Sequence, residues 1–223
     1  KPDLSHLYNV CYELSKIIKK NDIIIFESTV YPGVTNKHCI PALEKKSGLR
    51  EGEDFFVGYS PERVNPGDNN HQLHNINKIL AYPHAFKKKE ILKLYSNLGK
   101  KIIFSDNILE AETAKVIENI QRDVNIGLIN ELFIACRKLK INFQKVNSLA
   151  ATKWNFLKFN PGLVGGHCLP VDPYYFSYIC KKNNFNTKIT LAGRSINDSM
   201  TQIVINQIKN ELKVKKLERE NIL

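Results

Sequence analysis

The residues with the most chemical potential in this chain lie in one stretch, Asn160 to Tyr175, which reads NPGLVGGHCLPVDPYY. It holds a thiol, Cys168, and a carboxylate four residues later, Asp172. Gly165 and Gly166 stand just before the thiol, and Pro170 and Pro173 follow it. Glycine permits backbone that other residues avoid, and proline stiffens the chain. No helix or strand interior would choose that mixture. A free cysteine in a helical apolar pattern is ordinarily a small buried hydrophobe, and that reading suits Cys11, Cys136 and Cys180. Cys168 belongs to no such pattern. It reads as a nucleophile displayed on a shaped loop.

Other residues have the types to work with it. Lys115 and Asn119 are four apart in a helical pattern and share a face. Asparagine is a mediocre helix former. The cluster Asn119, Gln121, Arg122, Asp123 and Asn125 is more polar and less Lys/Glu-like than a plain solvated face. A lysine held there would stabilise a developing alkoxide; the plain alternative is an exposed helix edge. Glu62 sits between Pro61 and Arg63, beyond a predicted strand. It is either a surface ion-pair partner or a base on water. Ser28 and Thr29 follow another predicted strand and have hydroxyls for a ligand or a water. A zinc site from His167, Cys168 and Cys180 is disfavoured, because their spacing fits no common ligand pattern.

The elements that must position these residues fall into two textures. Up to about residue 106, helices and strands alternate. Helical spacing covers 4–20, 34–47 and 86–98, and apolar runs mark strands at 23–27, 55–60, 78–82 and 102–105. That order predicts a largely parallel sheet with helices packed on it. Polar loops follow the strands at 27–33 and 60–67, and in open α/β sheets ligands bind beyond the carboxyl ends of strands. From Leu109 the chain reads as helical: 109–140, then about 144–151, 172–182 and 188–213. Ile117, Ile120, Val124, Leu128, Leu132, Ala135 and Leu139 form an apolar stripe along the long helix.

Composition narrows the classes. The chain has 223 residues, 43% of them apolar, enough for a sizeable core. No apolar run nears the ~20 residues that span a bilayer, and the opening KPDLSHLYNV is not a signal peptide pattern. Its Pro2-Asp3-Leu4-Ser5 reads as a helix start entered from a preceding loop, so the expectation is a chain cut from something longer. Five cysteines with no CxxC pair suggest reduced thiols in the cytoplasm. The formal charge of +11 is spread as Lys-Lys pairs. It suits solvated faces or a polyanionic small substrate, and no nucleic-acid motif accompanies it.

Taken together, several stretches resemble the nucleotide-sugar 6-dehydrogenase (UDP-glucose/GDP-mannose dehydrogenase) family. They are ESTVYPG (27–33), GYSPERVNPG (58–67), ETAKVIENIQRDVNIGLINE (112–131), Gly162 to Tyr175, and LAGRSINDSM (191–200). The forms YSPERVNPGD, ATKWNF and VGGHC-x-PVDPYY look like the branch acting on UDP-N-acetylglucosamine or UDP-N-acetylgalactosamine, which serves bacterial capsule and O-antigen synthesis. The resemblance implies NAD as cofactor, a UDP-sugar substrate, a homodimer formed through the helical domain, and no nucleic-acid or membrane partner.

It also implies roles. Cys168 matches the nucleophile that forms a thiohemiacetal and then a thioester. Lys115 matches the oxyanion-stabilising lysine and Asn119 its partner. Asp172 and Glu62 match the carboxylates that assist proton transfer and water attack, and Thr29 the threonine that orients a water. Ser28, Thr29 and Cys168 fall on the cofactor side. Glu62, Arg63, Val64, Lys115, Asn119, Gly162, Gly165 and Gly166 fall on the substrate side, and Arg194 is left without a role. The implied organisation has 1–107 as the second half of an NAD-binding Rossmann-like domain, 108–213 as a helical dimerisation and catalytic domain, and 214–223 as the start of a linker. The family's GxGxxG is absent from this sequence, so the chain alone is expected to be inactive. The alternatives are a UDP-glucose or GDP-mannose 6-dehydrogenase, and a non-catalytic truncated dimerisation module.

Overall fold

The computed structural model describes residues 2–64, 67–70, 72–166 and 169–214. The chain divides into two compact units, Lys1–Glu118 and Asn119–Leu223.

The first unit is built on four short strands, β1 (Ile23–Phe26), β2 (Phe56–Tyr59), β3 (Asn77–Ala81) and β4 (Lys101–Ser105), in the order β1-β2-β3-β4. β1 pairs β2 in parallel from Ile23↔Phe56 to Phe26↔Tyr59, and β3 pairs β4 in parallel. The sheet is thus mostly parallel, as the alternating pattern predicted. β2 and β3 depart from it and meet antiparallel at Tyr59↔Ala81. Among its described residues the connection between them holds only a 3-10 turn, Leu73–Asn75. Parallel neighbours are ordinarily joined by a crossover helix, and strands joined without one pair antiparallel. Ser60 Oγ donates to the Ile79 carbonyl at 2.7 Å, and Arg63 Nη1 to the Asn77 carbonyl at 2.9 Å, extending that antiparallel contact past β2.

Three helices belong to this unit: α1 (Ser5–Ser15), α2 (Ile40–Ser47) and α3 (Lys88–Ser96). A π-helical turn, Thr35–Cys39, leads into α2. α1 stops sooner than the expected 4–20. Ser15 turns its hydroxyl onto the Tyr12 carbonyl at 2.6 Å, a local bond that competes with the helix ladder, and Asn21 has a φ of +70°. Val34, Leu43, Phe55, Val57, Tyr59, Leu80, Ala81 and Tyr82 are fully buried and form the core.

α4 (Ile108–Lys138) is the longest element. After it come α5 (Phe143–Ala150), capped by Asn142 Oδ1 accepting from Lys145 N at 3.1 Å, then α6 (Asp172–Lys182) and α7 (Lys188–Val214). The apolar stripe of α4 is not its buried face. Ile117, Leu128, Leu132 and Leu139 are 49, 53, 44 and 68% exposed, whereas Glu112, Lys115, Asn119, Asp123 and Asn130 are buried. A helix that buries its polar residues must find each of them a partner. Within the second unit α4 crosses α7 where both are glycine: a Cβ on Gly127 would lie 2.7 Å from the Gly193 carbonyl oxygen. None of the described helices is long and apolar enough to cross a membrane.

Candidate active site

In the first unit the sequence-predicted residues gather at the carboxyl ends of β1 and β2. Because these strands are parallel and in register, Glu27 to Gly33 and Ser60 to Val64 leave the sheet on the same side. Ser28 is exposed and Thr29 half-buried. Glu62 curls its carboxylate back onto its own backbone, accepting from Arg63 N and Val64 N at 2.6 Å each. Partial burial pushes its pKa up. Those two N–H bonds and the charges of Lys78 and Lys115 outweigh that and hold the carboxyl below its ordinary range. Arg63 forks onto Glu118, Nη2 to Oε1 at 2.7 Å and Nε to Oε2 at 3.3 Å. Lys115 is buried on α4, one turn before Asn119.

Two residues that sequence reasoning did not single out hold this region together. Lys78, buried on β3, places its ammonium 3.3 Å from Glu27 and 3.8 Å from Glu62, so one charge serves both strand ends. Its signal was a lone lysine at the head of the otherwise apolar run KILAY. Glu112, fully buried on α4, accepts from Gly33 N at 2.5 Å and Thr35 N at 2.9 Å. These are loose donors at the start of the helical segment, which a carboxylate suits. Gly33 has a φ of +94°, a backbone state side chains rarely adopt. Glu112 thereby fixes the far end of the Ser28–Gly33 turn. Its signal was weak, one glutamate in a helix rich in charge.

In the second unit, Asn119 donates to Asp172 Oδ2 at 2.6 Å, and both are buried. Asp172 opens α6, where a negative charge is favoured by the helix N-terminus. Gly162 is gripped through its backbone by Asn130. Gly165 and Gly166 lie in irregular chain, Gly166 with a φ of +91°. Arg194 is 1% exposed and ion-paired with Asp123 and Asp198. Asn65, Pro66, His167, Cys168 and the linker residues from 215 onward lie outside the described residues.

Two models of one family match this chain. The NAD binding domain of the UDP-glucose/GDP-mannose dehydrogenase family matches residues 1–99, and its central domain matches 109–199. The chain belongs to the UDP-glucose/GDP-mannose dehydrogenase family. Among curated relatives, it is 48% identical over 213 residues to a UDP-N-acetyl-D-glucosamine 6-dehydrogenase of Pseudomonas aeruginosa, covering 93% of this chain and 50% of that protein. It is 45% identical to protein CapL of Staphylococcus aureus, covering 95% and 50%. Among solved structures, a UDP-D-ManNAc dehydrogenase from Pyrococcus horikoshii superposes with a TM-score of 0.86 at 32% identity, covering 97% of this chain and 51% of that one. The chain therefore spans about half the length of the curated relatives it matches.

NAD is the cofactor of this dehydrogenase family, and the residues present fit one side of it. The Ser28 and Thr29 hydroxyls stand at a strand end of a mostly parallel sheet, where a polar cofactor ring finds donors and acceptors. The glycine-rich turn that grips a pyrophosphate is not among these 223 residues.

Proposed function

We propose that a full-length protein carrying this chain oxidises the C6 hydroxyl of a UDP-N-acetylhexosamine to the carboxylate, with NAD, for bacterial surface polysaccharide precursors. One observation carries the reading: three polar residues of the family motifs, Lys115, Asn119 and Asp172, are buried. They occupy positions where folding alone would favour apolar side chains. The motif forms and the 48% identical relative support the branch.

NAD, when bound, supplies the hydride acceptor for both oxidations. The roles of the chain's own residues are as follows. The Cys168 thiolate attacks the C6 aldehyde carbon and forms a thiohemiacetal, so the aldehyde does not escape. Oxidised once more, this adduct becomes a thioester. Water adds to the thioester carbonyl, the carbon–sulfur bond breaks, and carboxylate and thiol are released. Lys115 and Asn119 stabilise the oxyanion. Asp172 and Glu62 assist proton transfer and water attack, and Glu62, held below its ordinary pKa, is ionised at neutral pH. Thr29 orients a water, and Ser28 and Thr29 face the cofactor. Arg63, Val64, Gly162, Gly165 and Gly166 contact the sugar and phosphates. Residues 1–107 serve the cofactor, 108–213 serve catalysis and dimerisation, and 214–223 begin a linker. The setting is cytoplasmic.

A second copy covers the exposed apolar stripe of α4, making the protein a homodimer. The exposure of Ile117, Leu128, Leu132 and Leu139 supports this. The purified chain alone is expected to yield no NADH from UDP-N-acetylglucosamine; measurable turnover would refute that. The full-length protein is to be assayed against UDP-N-acetylglucosamine, UDP-N-acetylgalactosamine, UDP-glucose and GDP-mannose. Preference for either of the last two would overturn the branch assignment.

A further inference from the structure

Lys78 is the second residue of β3, and its side chain is only 5% exposed. Its ammonium lies 3.3 Å from Glu27 Oε1 and 3.8 Å from Glu62 Oε2. Both of those carboxylates are half-exposed. The cation is therefore sunk in the protein while the anions it serves reach toward solvent. A surface lysine ordinarily does the reverse, with its stem buried and its charge in water. A buried ammonium is tolerated only where charge matches it.

The antiparallel step of the sheet puts Lys78 at this place. Beyond Tyr59 the chain runs back along the start of β3, where Ser60 donates to the Ile79 carbonyl and Arg63 to the Asn77 carbonyl. Had β3 run parallel to β2, its second residue would lie at the other end of the sheet, away from Glu27 and Glu62. Glu27 is held in turn from α3, where Tyr95 donates to Oε1 at 2.9 Å.

Glu62 divides the work of its two oxygens. Oε1 takes both backbone N–H bonds, from Arg63 and Val64. Oε2 takes no hydrogen bond among the described residues. At 3.8 Å the Lys78 ammonium is too far for one and acts by charge. Lys115 adds a second cation from α4, and Glu27 competes with Glu62 for Lys78.

We propose that Lys78 is a positioning residue for Glu62: anchored by Glu27, its buried ammonium holds the Glu62 carboxylate as an anion, with Oε2 open to accept a proton. A base must be ionised at the working pH and must have a lone pair to spare. The proposal rests on the reading of Glu62 as a base, and its test separates the two.

The chain is isotope-labelled at its carboxyl carbons and titrated by NMR, with the Glu62 signal assigned by its loss in Glu62→Gln. Lys78→Met keeps the stem and removes the charge. The Glu62 midpoint should move up. Asp54 reports on folding of the same unit, because the Arg50 N–H and Lys20 hold its carboxyl below the ordinary range; its midpoint should stay. Lys78→Arg returns the charge and should bring the Glu62 midpoint back toward the parent's. Should Lys78→Met unfold the unit, seen as a return of Asp54 to the ordinary range, Glu27→Gln decides. With its competitor gone, Lys78 should draw the Glu62 midpoint below the parent's. A Glu62 midpoint unmoved in the deciding variant, or no lower in Lys78→Arg than in a folded Lys78→Met, overturns the proposal. In the full-length protein, the acid limb of kcat/KM for uronate formation should follow the Glu62 midpoint in whichever variant moves it. An acid limb that stays while the midpoint moves overturns the reading of Glu62 as the base and leaves the hold of Lys78 on its charge standing.

Discussion

Asn119 and Asp172 show what the residue scale adds. Their types and spacing were legible in the sequence, but their partnership was not, because 53 residues separate them. The plain alternative for Lys115 and Asn119, a solvated helix edge, does not survive their burial. Asn119→Ala should leave Asp172 short of a buried partner and destabilise the chain by about 1–3 kcal/mol, read from urea denaturation; an unchanged midpoint would count against the bond. Glu62 sets a pH dependence. Its folded pKa lies below its ordinary value, so its stabilisation is present above the usual glutamate range and lost as pH falls through the depressed value. Glu62→Gln should remove that acid-side loss from the stability profile, and parallel profiles for parent and variant would contradict it. Glu112 and Lys78 were missed because a charged residue in a helix or strand reads as surface until its partner is known.

Among the elements, the alternation of helix and strand was readable because apolar runs and helical spacing differ in period. The antiparallel step between β2 and β3 was not, since direction depends on what fills the connection. The facing of α4 was not readable either: its apolar stripe suggested one side, and its buried polar residues occupy another. Glu112 links α4 to the turn after β1, and burial raises its pKa against the N–H bonds of Thr35 and Gly33. The stabilisation that follows is full below the ordinary glutamate range and is lost as pH rises through the raised value. Glu112→Gln, which does not titrate, should lack that loss in a series of urea midpoints against pH; the same slope in both proteins would contradict the assignment. At the crossing of α4 and α7, Gly127→Ala would press a methyl group on the Gly193 backbone. It should cost about 1–3 kcal/mol, and a neutral effect would show that the helices do not cross so closely.

At the scale of the whole molecule, this chain matches the NAD binding and central domains of its family and spans about half the length of the curated relatives it matches. If a second copy covers the apolar face of α4, replacing Leu128 and Leu132 together with glutamate should convert dimer to monomer in sedimentation; a parent that is already monomeric would refute the dimer. The motifs made the family readable because they demand residues that packing alone would not choose. The central claim is a four-electron oxidation through Cys168, and one measurement tests it most directly. Full-length protein, parent and Cys168→Ser, is incubated with UDP-N-acetylglucosamine and NAD, and NADH is counted against uronate formed. The account predicts about two NADH per uronate for the parent. For the variant it predicts a fall in uronate formation of roughly a thousandfold or more, with NAD binding retained. Uronate formation by Cys168→Ser at a rate near the parent's would contradict it.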